Sequence, residues 1–177
     1  MVADRLMHIL EDGGLITPNQ AGFRPNRCTT DQILKLVQDA TDQFNNGKTS
    51  NLTMTAFFDY AKAYDKVWRE GLLHKMQVLG IPNRFVRYTR HFLSRRWTQV
   101  EINGTRSKRF LLKQGLPQGS SISPLLFLIF INDLDADLEP ETVASLFADD
   151  TAVWMADGKE RGSNRLPMQQ EIDKVIK

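Results

Sequence analysis

The chain has 177 residues and a mass of 20.3 kDa, with 23 Lys and Arg against 21 Asp and Glu, 41% hydrophobic and 25% charged residues, and a single cysteine. This composition excludes a disordered, collagen-like or disulfide-stapled protein, and the length suits about one domain rather than a large multidomain enzyme. Cys28 has no cysteine partner for a disulfide or a zinc-ligand spacing, so a reducing intracellular setting is expected.

The N-terminus carries Asp4 and Arg5 and no signal-like apolar core. The longest apolar run, Pro124 to Ile131, is far short of the roughly 20 residues of a membrane span, so a soluble protein with no membrane partner is expected, nucleus or cytoplasm left open. Leu6, Ile9 and Leu10 already have the spacing of a helix interior, and Glu171 to Lys177 reads as a helix cut before its cap. Both ends therefore suggest a fragment. Asp31 to Phe44 spaces Ile33, Leu34, Val37, Ala40 and Phe44 as one amphipathic helix, stopped by Asn45-Asn46-Gly47. Leu52 to Phe58 reads as a strand ending in Asp59-Tyr60. Gly71 to Leu79 and Asn83 to Leu93 read as helices separated by the stop signals Gly80 and Pro82. Trp97 to Ile102 and Arg106 to Leu112 flank Asn103-Gly104, a strong hairpin signal. Ser123-Pro124 is expected to cap an apolar helix running to about Leu134. Thr142 to Ala148 and Thr151 to Met155 form two short strands joined at Asp149-Asp150. The expected class is α+β, mostly antiparallel.

Charge is unevenly laid out. From Arg84 to Lys113 there are nine Lys or Arg against Glu101 alone, and from Asp133 to Asp157 there are eight acids and no Lys or Arg. Solvated faces produce such runs, and so does a metal-using enzyme that grips a polyanion.

Three segments could carry chemistry. Phe58-Asp59 sets an acid at the end of an apolar strand, and Phe147-Ala148-Asp149-Asp150 delivers paired carboxylates into a tight turn. If those strands are neighbours the acids repel one another unless cations sit between them, and oxygen-only ligands suit Mg2+ or Mn2+. An Asp-Asp pair also serves ordinary turns, and a strand-end Asp an ordinary loop. Third, Gln114 to Ser121 is a Gly-Pro loop whose backbone can lie close against a base or sugar-phosphate, or simply lead into a helix. Upstream, Arg24 and Arg27 sit in the turn-rich Gln20-Ala21-Gly22-Phe23-Arg24-Pro25-Asn26-Arg27, suited to gripping phosphates.

In order, Phe-Phe-Asp-Tyr-Ala-Lys-Ala-Tyr-Asp-Lys-Val-Trp (57–68), Gly-Leu-Pro-Gln-Gly-Ser-Ser-Ile-Ser-Pro-Leu-Leu-Phe (115–127) and Phe-Ala-Asp-Asp (147–150) resemble the successive palm motifs of reverse transcriptases. Gln-Ala-Gly-Phe-Arg-Pro (20–25) and Val-Trp-Arg-Glu-Gly-Leu-Leu (67–73) resemble the enzymes of retrotransposons lacking long terminal repeats, jockey-like elements in particular, over nearly the whole chain. The resemblance implies a fingers-palm fold with an antiparallel palm sheet packed on helices, a fingers remnant at about 1–50 and the palm at about 51–177. It implies an RNA-directed DNA polymerase that adds dNTPs to a primer 3′-OH. Asp59, Asp149 and Asp150 would be catalytic, holding two Mg2+ (or Mn2+) ions together with the Tyr60 carbonyl. Tyr64 would be a steric gate against a ribose 2′-OH, Gln118 and Gly119 would pack on the incoming nucleotide and template, and Arg24 would contact its triphosphate. Arg95, Arg96 and Trp97 would hold the RNA template and DNA primer. Lys62, Asp65 and Asp133 read as structural, in caps or surface ion pairs.

Asn26 and Cys28 depart from the glycine and serine usual in relatives. Asparagine tolerates a left-handed backbone, so the turn should survive. The family's first fingers segment, its lysine-bearing segment after the acidic turn, its thumb and its endonuclease are expected to be missing. The alternative to an enzyme fragment is a truncated, inactive palm-fold remnant that binds nucleic acid.

Overall fold

Helices alternate with short strands along the chain, in the order α1 (Val2–Asp12), α2 (Thr29–Asn45), β1 (Leu52–Phe58), a 3-10 turn (Tyr64–Lys66), α3 (Arg69–Val78), α4 (Asn83–Leu93), β2 (Trp97–Thr98), β3 (Glu101–Ile102), β4 (Thr105–Arg106), β5 (Phe110–Leu111), α5 (Ser123–Phe130), β6 (Thr142–Phe147), β7 (Asp150–Asp157) and α6 (Arg165–Ile176). The structure is a computed structural model that describes residues 1–45, 52–157 and 165–176. The Asn46-Gly47 stop signal and Lys177 lie outside the described residues. Internal contacts divide the chain into two units, Met1–Leu15 with Lys62–Phe130, and Ile16–Ala61 with Ile131–Lys177.

The core of the first unit is helical. Leu72, Leu73 and Met76 of α3 are buried, as are Phe85, Val86 and Leu93 of α4 and Leu6 and Leu10 of α1. α5 is apolar on every side because α1 and α3 both pack on it, burying Leu125 to Ile129. Each such side chain contributes roughly 1.5–3 kcal/mol by leaving water. Two expectations change here. The helix opened at Ser123 ends at Phe130, four residues before Leu134, and backbone turns follow through Leu138. Ser123 is the first helical residue and not the cap, and its buried hydroxyl has no hydrogen-bond partner among the described residues.

The Asn103-Gly104 hairpin forms, but as two short ladders. Trp97 and Thr98 pair with Leu111 and Phe110, and Glu101 and Ile102 pair with Arg106 and Thr105. Between them Gln99 and Val100 face Ser107, Lys108 and Arg109, so the return strand holds one extra residue and bulges. Ser107 bridges the break, its N–H donating to the Val100 carbonyl (2.8 Å) and its Oγ accepting from the Val100 N–H (2.9 Å).

The second unit is a three-stranded antiparallel sheet in the order β1-β7-β6. β7 is central, and its alternation sends Val153 to one face and Trp154 to the other. Val153 packs with Ala144, Val175 of α6, Phe58, Leu134 and Leu138. Helix α2 covers the Trp154 face by polar contacts: Gln32 accepts from the Ser145 hydroxyl, Lys35 donates to the Ala144 carbonyl (3.3 Å), and Asp39 accepts from the Trp154 indole (2.9 Å). This inverts the expected orientation of α2. Its period is helical, yet Ile33, Leu34, Val37 and Phe44 face outward and the polar residues 32, 35 and 39 meet the sheet. Burial lowers the pKa of Lys35, with Asp39 and Asp135 acting in the opposite direction.

Candidate functional site

The second unit brings the acids to one end of its sheet. Phe58 pairs with Thr151 at the end of β1, so Asp59 follows directly beside the residue pair that precedes the β6–β7 turn. Phe147 pairs with Asp150, which leaves Ala148-Asp149 as a two-residue turn. Asp59 and Asp150 line one cavity of about 400 Å³ on the α2 face, with Gln32, Leu36, Phe57 and Trp154 among its walls. Asp149 lies next to them in the turn and is half-buried, while Asp59 and Asp150 are exposed. None of the three carboxylates makes an ion pair or side-chain hydrogen bond with a described residue, so all three keep their lone pairs for another ligand. The donor set is all oxygen and anionic, which fits a hard divalent cation. Among the described residues no three acidic, histidine or cysteine side chains converge closely enough to be a formed metal centre.

The turn itself is strained. Ala148 has φ +55° in the left-handed region, which costs a residue with a Cβ roughly 1–2 kcal/mol. Such a conformation persists where its surroundings over-determine it. Here they do: Ala148 is buried, and the segment 19–22 lies along the edge of β6. Ala21 N–H donates to the Leu146 carbonyl (2.8 Å) and Leu146 N–H to the Asn19 carbonyl (2.9 Å), a parallel bridge. Gly22 passes so close that a Cβ there would lie 2.2 Å from the Ala148 nitrogen. Gln20, 1% exposed, turns its carboxamide onto Ala148.

Beside Asp59, the Tyr60 phenol is half-buried. Burial pushes its pKa up, and the Thr151 hydroxyl acts the other way, although neither hydroxyl reaches hydrogen-bond geometry with a partner among the described residues. Arg24 is held within its own loop, its Nη1 donating to the carbonyls of Thr17 (2.9 Å) and Gln20 (3.1 Å). Arg27 donates to the Pro18 carbonyl (2.7 Å). Asn26 adopts φ +57°, the left-handed geometry anticipated where relatives carry glycine.

Tyr64, Gln118 and Gly119 belong to the first unit. Tyr64 is half-buried and stacks on Phe127 at 4.8 Å between ring centres, 11° from parallel. The Gly-Pro loop docks on its 3-10 turn: Gly115 N–H donates to the Val67 carbonyl (2.9 Å), Leu116 N–H to the Tyr64 carbonyl (2.8 Å), and Gln118 Nε2 reaches Asp65 Oδ1 (3.4 Å). Gly115, at φ +83°, sits where a Cβ would lie 2.6 Å from the Asp65 carbonyl oxygen. Arg69 fastens the loop, donating to the carbonyls of Leu93, Leu112, Gln114 and Gly115 at 2.7–2.9 Å. Burial lowers the Arg69 pKa, and Arg96 adds to that effect. Of the basic stretch, Arg95 and Trp97 are exposed and Arg96 lies 5.7 Å over the Phe92 ring, whereas Arg106 is paired with Glu101 (2.7 Å) and Arg90 with Glu70 (3.6 Å). Gln20, Gly22 and Arg69 were not singled out by sequence reasoning as parts of a site. A buried Gln has no sequence signature, and Arg69 acts on main-chain carbonyls of distant segments.

Residues 1–176 match the family described as reverse transcriptase (RNA-dependent DNA polymerase). The chain belongs to that family. It is 30% identical over 159 residues to the RNA-directed DNA polymerase from mobile element jockey of Drosophila melanogaster, covering 86% of this chain and 17% of the relative. It is 28% identical over 156 residues to the probable RNA-directed DNA polymerase from transposon X-element of the same species, with the same shares. The chain thus spans about a sixth of the length of these retrotransposon relatives. Among solved structures the fold is similar to apo telomerase from Candida tropicalis truncated from its C-terminal domain, with a TM-score of 0.69 at 16% identity over 99% of this chain and 36% of that one. Family and fold agree with the α+β architecture of the sheet and helices. Among the described residues no helix is long and apolar enough to cross a membrane.

Proposed function

We propose that this chain is the fingers-palm portion of an RNA-directed DNA polymerase from a jockey-like retrotransposon, with residues 1 to about 50 a fingers remnant and the rest palm. The observation that carries this reading is the meeting of Asp59 with the Asp149-Asp150 turn at one end of the β1-β7-β6 sheet, in a chain that matches the family from end to end. Asp59, Asp149, Asp150 and the Tyr60 carbonyl would hold two Mg2+ or Mn2+ ions. Such ions, when bound, acidify a primer 3′-OH and neutralise charge on a leaving pyrophosphate. The chain's own residues supply position. The carboxylates fix the reacting end, Tyr64 excludes a ribose 2′-OH, Gln118 and Gly119 line the nucleotide and template side, and Arg24 meets the triphosphate. Arg95, Arg96 and Trp97 grip the RNA template and DNA primer through charge and stacking, a hold that weakens with salt.

Primer extension on an RNA template with dNTPs and Mg2+ or Mn2+ tests this, using the chain beside Asp149→Asn. Extension by the first and not the second is the expected result, and equal extension by both would contradict it. A second reading is an inactive palm-fold remnant that binds nucleic acid. It rests on the exposed Arg95 and Trp97, which grip a polyanion by charge and stacking without any help from the acids. Salt-sensitive primer-template binding with no extension by either protein would select it.

A further inference from the structure

Gln20 lies in a segment otherwise read through its arginines, yet it is 1% exposed and its polar atoms are spent on the acidic turn. Its Oε1 accepts from the N–H of Ala148 and the N–H of Gly22, each at 2.8 Å, and its Nε2 donates to the Ala148 carbonyl at 3.3 Å. One carboxamide thus pairs with both main-chain groups of the residue at φ +55°, as a neighbouring strand would, at the point where the β6–β7 ladder stops. Gly22 closes the other side, and Arg24 ties the Gln20 carbonyl back to its loop. Ala148 is followed immediately by Asp149, so the peptide that Gln20 holds is the one from which that carboxylate projects.

We propose that Gln20 is a positioning residue for the paired acids. It fixes the left-handed Ala148 backbone and thereby the direction in which Asp149 and Asp150 are offered to a divalent cation. This rests on the reading of those acids as a cation site. Gln20 itself has no place in the chemistry. Its amide works through the turn, in the way outer hydrogen bonds orient the ligands of metal sites.

The test uses the full chain as Gln20→Met, which keeps the volume and removes all three hydrogen bonds, and as Gln20→Glu, which keeps the acceptor for both N–H groups. Two readouts are taken on protein verified as folded by circular dichroism: Mn2+ affinity by electron paramagnetic resonance of the free ion, and hydrogen-exchange protection of the Ala148 amide. The proposal expects Gln20→Met to lose about tenfold or more in Mn2+ affinity together with the protection at Ala148, and Gln20→Glu to keep that protection. Gln20→Met with affinity within about twofold of the parent and an unchanged Ala148 amide would overturn it. Should Gln20→Met fail to fold, Gln20→Glu decides, because loss of Ala148 protection despite a retained acceptor contradicts the assigned contacts. If the parent chain takes up no Mn2+ and Asp149→Asn changes nothing, the cation reading has failed by itself. Ala148 protection then judges Gln20: loss in Gln20→Met upholds its hold on the turn, and full retention removes it.

Discussion

Two hairpin tips in this chain have the same length and opposite economies. At Asn103-Gly104 both turn residues have positive φ, +49° and +77°, and both belong to types that adopt it readily. That tip is exposed, and its neighbours Glu101, Ile102, Thr105 and Arg106 are exposed with it. At Ala148-Asp149 the left-handed position falls on an alanine that is buried against residues 19–22, and a carboxamide holds its backbone. The first tip forms because its sequence prefers the turn. The second forms because its surroundings impose it, and the imposed turn is the one that carries the acids.

The largest expected effect comes from attacking the imposed turn. Gly22→Ala sets a Cβ against backbone atoms of Phe147 and Ala148 that cannot swing aside. Urea denaturation should show a loss of about 3 kcal/mol, the upper end for an overpacked site. A loss below about 0.5 kcal/mol would mean that segment 19–22 does not brace the turn. Arg69→Ala tests the bracing of the segments on either side of the exposed hairpin. It frees four carbonyls, including those of Leu93 and Leu112 that flank the hairpin, and should cost about 2–3 kcal/mol. Arg69→Lys should recover little, since a lysine lacks the fork that reaches several acceptors. Asn103→Ala supplies the contrasting case: an exposed turn with no brace should lose about 1 kcal/mol or less, checked by the same denaturation curves.

How far this contrast was legible in the sequence follows from the physics of each part. β1, Leu52 to Phe58, and α4, Asn83 to Leu93, are legible to the residue, because strong periodicity and clear stop signals bound them. The Asp-Asp turn was also readable, since two β-rich runs flank it. The inward face of α2 was not. Its apolar stripe suggested burial, but Gln32, Lys35 and Asp39 match polar groups on the sheet, and only the tertiary arrangement shows those partners. The same holds for Gln20. Its amide is chosen by a main-chain donor and acceptor some 128 positions away, a pairing that no local pattern encodes. The bulge near Ser107 was hidden because the Asn-Gly signal fixes the tip and says nothing of register farther down the strands.

The smallest expected effect concerns pH and the far side of the sheet. Glu171 is 3% exposed; burial raises its pKa, but Lys174, the Glu139 N–H and Thr142 together outweigh this and leave it below its ordinary value. A carboxyl lowered in the folded state adds stability above its ordinary pKa of about 4.3, and that stability is lost as pH falls through the folded value. Acid unfolding should therefore be shallower below about pH 4 in Glu171→Gln than in the parent. Parallel curves would remove this group from the acid response.

The most direct test of the site is whether Asp59 and Asp149, carried by β1 and by the β6–β7 turn, serve one cation. Mn2+ titration of the parent, Asp59→Asn, Asp149→Asn and the double variant answers it. A shared site predicts that either single change weakens the same ion by tenfold or more, about 1.4 kcal/mol, and that the second change adds little to the first. Two independent and additive losses, or none, would contradict the assembly of these acids into one site.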